Sequence, residues 1–87
     1  MFTRTLEVRA AVGLHARPAA QFSEVAKQAG FPILVGRDEA SLVSAASPLR
    51  ILTLKVKQGE SILVRCETED EDAANSIFDK LSLCIAE

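Results

Sequence analysis

His15 and Arg17, two positions apart in the stretch VGLHARP (residues 12–18), are the side chains in this sequence best suited to carry chemistry. His15 is the only histidine. A neutral imidazole is a nucleophile near neutral pH, its reference pKa being ~6.5. Arg17 adds a permanently charged, planar guanidinium that matches phosphate oxygens. Both residues stand where a strand pattern stops, at Gly13, and a helical pattern begins. The first N–H groups of a helix have no internal partner and its dipole is positive there, so such an end attracts anions, phosphate above all. The same positive end disfavours imidazolium and leaves a ring lone pair available. A phosphoryl group on the ring would bring roughly two negative charges, which the dipole and Arg17 would then stabilise. The combination suits a phosphoryl group held covalently on imidazole. A histidine at a helix start also serves as a satisfied structural or surface residue, and the spacing alone leaves both readings open.

The surrounding pattern supplies the elements that must position this pair. FTRTLEVR (residues 2–9) alternates, with Phe2, Leu6 and Val8 on one face and Arg4 as the break, which predicts a half-buried strand. ARPAAQFSEVAKQAG (16–30) reads as a helix. Ala19, Phe22, Val25, Ala26 and Ala29 recur at helical spacing, Pro18 suits the first turn and Gly30 suits the C′ stop. FPILVGR is a second strand, DEA a tight connection and SLVSA a short third strand. SPLRILTLKV is ambiguous, but Ser47 and Pro48 form an N-cap and N1 pair, so a short helix is expected, with Leu49, Leu52 and Ile51 as its apolar side. KQGE is a turn before the strand SILVRCE, whose Ile62, Val64 and Cys66 share a face. Thr68-Glu69-Asp70-Glu71 reads as a capping box for a last helix with the stripe Ala73, Ala74, Ile77, Phe78, Leu81, Cys84 and Ile85. Its acidic run is expected to face the positive end of the dipole rather than a metal. The order β-α-β-β-α-β-α predicts one sheet with helices over a single face.

Composition excludes several classes. With 87 residues, 48% of them hydrophobic, one domain over residues 1–87 is expected. The net charge of −2, the scattered Lys and Arg, and the absence of Trp and Tyr argue against nucleic-acid binding. No apolar run reaches the ~18 residues of a membrane span, and the N-terminus lacks a signal-sequence core, so a cytoplasmic protein without membrane insertion is expected. Cys66 and Cys84 form no CxxC and are expected as reduced, buried thiols. No metal and no cofactor are expected.

The string GLHARPA, Gly13 to Ala19, resembles the active-site signature of the histidine-containing phosphocarrier (HPr) family of the phosphoenolpyruvate-dependent sugar phosphotransferase system. The resemblance extends over essentially the whole chain and includes SAASPLRILTLKVKQG. It implies an α+β fold, an open-faced β-sandwich in which a four-stranded antiparallel sheet carries three helices on one face. It further implies a monomeric carrier, not an enzyme in the strict sense, that receives a phosphoryl group from enzyme I on Nδ1 of His15 and passes it to sugar-specific IIA domains. Arg17 then matches the arginine that steadies the phosphate, with Ala16 giving access and Pro18 starting the helix. Ser47 matches the serine that a regulatory kinase phosphorylates in some members, although Ala46 and Pro48 depart from the usual neighbours. Lys55 stands where members often have glycine after the second helix, a departure costing on the order of 1 kcal/mol if the position is left-handed. Ser44 lies near a position where members often show asparagine.

A carrier meets its partners in succession through one small, short-lived interface. Ala16, Ala20, Leu49 and Leu52 are the expected contact patch, ringed by Arg17, Lys27 and Arg50, with Glu24 as an opposing charge. Leu52 is expected mostly buried and Leu49 to be the contact. Two other readings stand beside this one: an HPr-like carrier of a nitrogen-related or purely regulatory branch, and a small α/β interaction module in which His15 is structural.

Overall fold

Alternating apolar residues make strands that bury one face, and the strands of this chain bury theirs under helices. A computed structural model describes residues 1–86. The elements are β1 (Phe2–Glu7), α1 (Ala16–Gln28), β2 (Ile33–Gly36), a 3₁₀ turn (Glu39–Ser41), β3 (Val43–Ser44), α2 (Pro48–Leu52), β4 (Ser61–Cys66) and α3 (Glu71–Cys84). The sheet order is β1-β4-β2-β3, every neighbouring pair being antiparallel. Register places Leu6 opposite Ile62 and Val64 opposite Val35, so their side chains share the inward face. These residues form one core with Ala19, Phe22 and Ala26 of α1, Ile51 of α2, and Ala74, Ile77, Phe78 and Leu81 of α3. The outward positions Thr3, Thr5, Glu7 and Ser61 are exposed. This is the expected four-stranded antiparallel sheet with three helices.

Arg4, the break in the β1 pattern, lies on the helix-covered face. Its guanidinium stacks 4.7 Å from the centroid of the Phe78 ring. It also donates to Asn75 Oδ1 at 2.9 Å and Asp79 Oδ1 at 3.2 Å. The stem covers apolar surface while the charged head reaches α3.

Several local expectations need correction. The last helix is capped by Asp70, whose carboxylate accepts from the Ala73 N–H at 3.1 Å. Thr68 instead accepts from the Asp70 N–H at 3.1 Å, so the capping box expected there does not form. Asp is the stronger N-cap, and starting at Glu71 still leaves Glu71 and Asp72 in the first turn. DEA is a 3₁₀ turn with its own cap: Asp38 accepts from the Ala40 N–H, and the Ser41 hydroxyl accepts from the Asp38 N–H. In α2 the expected Ser47 cap is present, accepting from the Arg50 N–H at 3.3 Å. Ile51 rather than Leu52 is the fully buried residue, and Leu52 is only half-buried. A five-residue helix is little more than one turn, so it points one side chain squarely inward. Gly30 takes the expected left-handed C′ conformation, φ +86°. Cys66 is buried, whereas Cys84 is half-buried, both as free thiols. Burial pushes the Cys66 thiol up to about 11 against the opposing pull of Arg4, and burial raises Cys84 as well. Among the described residues no helix is long and apolar enough to cross a membrane.

Candidate functional site

His15 is the N-cap residue of α1, with an extended backbone at φ −90°, ψ −171°. Its side chain makes no capping hydrogen bond, so the imidazole is not consumed in holding the helix end. The first helical bond runs from the Ala19 N–H to the His15 carbonyl at 3.0 Å. Ala16 and Arg17 therefore occupy the two preceding positions, whose N–H groups lack helical partners, and Pro18 at the third has none to offer. Pro18 and Ala19 are buried and anchor the turn, His15 is half-buried, and Ala16 and Arg17 are exposed.

A cleft of about 270 Å³ opens at this point, lined by His15, Arg17, Pro18, Gln21, Leu83 and Cys84. One wall is thus the start of α1 and the other is the end of α3. The cleft brings the imidazole, the guanidinium and the free end of the helix together.

Two sets of backbone bonds hold the walls. On the loop side, Leu14 is buried and its N–H donates to the Val56 carbonyl at 2.9 Å. Gly13 is left-handed, φ +74°, and a Cβ there would meet the Val56 oxygen at 2.6 Å and Lys57 Cα at 2.8 Å. Glycine is required on both counts. The Val56 segment is itself clamped. Arg37 donates through Nε to the Leu54 carbonyl at 2.8 Å and through Nη2 to the Lys55 carbonyl at 2.7 Å. It also forms a two-point pair with Glu60, both contacts at 3.2 Å, while Glu60 accepts from the Lys57 N–H at 2.7 Å. Arg37 and then the Lys57 N–H hold the Glu60 carboxyl below its usual range, and Glu60 raises Arg37. Lys55, within this clamp, adopts the left-handed conformation, φ +53°. On the other side, the Ile85 carbonyl at the end of α3 accepts from the Arg9 N–H at 2.8 Å and the Ala10 N–H at 3.0 Å.

Arg17, Ala20, Glu24 and Lys27 follow one another at spacings of three and four on α1, and all are exposed. They form one stripe, but it runs away from the cleft. Lys27 lies ten residues beyond Arg17, about 15 Å along the helix axis. It lines a separate groove with Phe31, Leu34 and Ala46, the last of these just before the Ser47 cap of α2. Glu24 accepts from Gln28 at 2.9 Å. Leu49 and Arg50 are exposed on α2, which packs against α1, and Leu52 is half-buried. Ser47 is half-buried with its hydroxyl oxygen committed to the cap. Ser44 accepts from the Ala46 N–H at 3.3 Å, so a serine keeps a local backbone contact at this turn.

Sequence reasoning missed Gln21 and Leu83 and placed Cys84 in the core. Gln21 stands four residues after Arg17, a spacing that puts both on one side of α1. Leu83 carried a signal too: it is an apolar residue outside the stripe that α3 buries.

The family model described as "PTS HPr component phosphorylation site" matches residues 2–83. The chain belongs to the HPr family. It is 37% identical over 87 residues to the phosphocarrier protein HPr of Streptomyces coelicolor, covering 100% of this chain and 90% of that one. The phosphocarrier protein HPr of Haloferax volcanii is 43% identical over 72 residues, 82% of this chain and 81% of the relative. Among solved structures, HPr-C-His from Thermoanaerobacter tengcongensis superposes with a TM-score of 0.81 at 32% identity, covering 100% of this chain and 98% of that one. As an HPr family member, the chain is a phosphocarrier of the phosphotransferase system, a carrier of the phosphoryl group rather than a catalyst of its transfer.

Proposed function

We propose that His15 is the phosphoryl acceptor and Arg17 the group that steadies the phosphate, in a single cytoplasmic, monomeric carrier domain loaded by enzyme I and unloaded by IIA domains. The observation that carries this reading is the uncapped His15 side chain at the N-terminus of α1, in one cleft with Arg17, in a chain of the HPr family. The unprotonated ring nitrogen, Nδ1 by family resemblance, attacks phosphorus; the N–P bond forms as the donor's bond to phosphorus breaks, and the electron pair returns to the donor. The incoming negative charge meets the Ala16 and Arg17 N–H groups, the helix dipole and the guanidinium. Among the described residues no second group of carboxylate or imidazole type lines this cleft, and the reading assigns activation of the donor to the partner.

Incubation with phosphoenolpyruvate and enzyme I tests the reading. It predicts an acid-labile, base-stable phosphate that is absent from His15→Ala. Equal labelling of His15→Ala would overturn the assignment.

A further inference from the structure

The exposed surface of α3 is polar except at one position. Glu71, Asp72, Asn75, Ser76, Asp79, Lys80 and Ser82 are exposed, as is Leu83, at 75%. The helix does not need Leu83 for its packing, because Ala74, Ile77, Phe78 and Leu81 already fill the core side. An isolated exposed leucine is ordinary. This one lines the same cleft as His15 and Arg17. It also borders a neighbouring groove with Thr5, Glu7 and Arg9, so it stands as a ridge between two depressions.

We propose that Leu83 is a docking contact for the protein that donates the phosphoryl group, giving the carrier a second apolar lip beyond the one on α2. The inference rests on His15 being the acceptor. A donor must bring phosphorus to bonding distance of the ring, and the cleft that opens on the ring has Leu83 on its far wall. Donor atoms that enter this cleft to reach the imidazole meet this side chain on the other side. Of the cleft's six lining residues His15, Arg17, Gln21 and Cys84 are polar and Pro18 and Leu83 apolar, and none of the described residues brings a carboxylate to it. It suits a partner that presents an anionic phosphoryl group toward His15 and Arg17 and an apolar side chain against the Leu83 edge. Leu49, also 75% exposed, lies on the other flank, because α3 packs over β1 and α2 beside β3, at opposite edges of the sheet, with α1 touching both. The two leucines thus lie on opposite flanks of α1. Val12, 75% exposed, extends the α3 side, in a turn tied to the helix end through the Ala10 N–H and the Ile85 carbonyl.

The test is phosphoryl transfer from phosphorylated enzyme I to the wild type, Leu83→Ser, Leu49→Ser and Met1→Ser, across carrier concentration. Met1 is 60% exposed and its amino group pairs with Glu69 near the far end of the sheet, so it controls for loss of an exposed apolar residue as such. Leu83→Ser is expected to raise KM about fivefold or more with kcat within twofold, and Met1→Ser to change neither. A KM within twofold of wild type overturns the proposal, as does an effect confined to transfer onward to a IIA domain. Should Leu83→Ser melt earlier than wild type, the Leu83 methyl resonances of the wild-type protein give the answer on titration with enzyme I: a shift supports the contact and none overturns it. Wild type that takes no label removes the parent reading, whereas wild type and Leu83→Ser that load alike remove only this one.

Discussion

The α-carbon of Gly13 lies so near the Val56 carbonyl that a side-chain carbon on it would sit 2.6 Å from the oxygen. This approach, with the 2.9 Å bond from the Leu14 N–H to the same carbonyl, decides where the chain delivers His15. Gly13→Ala combines a left-handed penalty with forced displacement of a backbone segment. It should lower unfolding free energy by about 2–5 kcal/mol, the sum of the usual costs of those two effects. Urea midpoints measure that loss, and faster hydrogen exchange at the Leu14 amide would report release of the loop. A variant as stable as wild type would show that the loop relaxes freely.

Arg17 is exposed and outside the core, so Arg17→Ala should melt as wild type does. Loss of a charge-assisted hydrogen bond to the phosphate removes about 1.5–3 kcal/mol, or roughly 10–100-fold in the transfer rate. Arg17→Lys should recover part of it, since a point charge keeps attraction without the planar fork. Rapid-quench transfer assays separate these outcomes, and unchanged rates in Arg17→Ala would remove its role.

Lys55 holds φ at +53°, a conformation glycine enters without strain. Lys55→Gly should therefore stabilise the protein, by up to about 1 kcal/mol. Its carbonyl still accepts from Arg37, so the clamp stays intact. Thermal melts of the two proteins decide the sign; destabilisation would mean that the lysine side chain offsets its own backbone strain.

Glu60 has a depressed folded-state pKa, caused first by Arg37 and then by the Lys57 N–H. Its contribution to stability is fully present above the unfolded value of about 4.3 and is lost as pH falls through the lower folded value. Glu60→Gln should narrow its stability gap from wild type as pH drops from 6 toward 3. Parallel stability curves across that window would show that the pair adds nothing pH-dependent.

Much of this architecture was legible beforehand because its signals are local. The Ser47-Pro48 pair starts α2, Gly30 ends α1, and alternation marks β1 and β4. The helix start that holds His15 could be read in the same way. What escaped was decided over distance. Asp70 displaced Thr68 as the cap of α3 because both are competent caps and the position of α3's stripe against the sheet chose between them. Arg4 looked like a flaw in β1 until Phe78, Asn75 and Asp79 arrived from α3 to receive it. Leu83 reached the candidate site by the same route, carried there by the packing of α3 on α1, which no spacing within either helix encodes. Lys27 shares Arg17's stripe on α1 but stands nearly three turns away along the axis.

The two hydrogen bonds that the Ile85 carbonyl accepts stitch residues 9 and 10 to the close of α3. A growing chain thus exhibits its imidazole long before the opposite wall of the cleft exists. Only after α3 docks do both walls of the cleft stand together. Completion of the cleft is in this way coupled to completion of the fold.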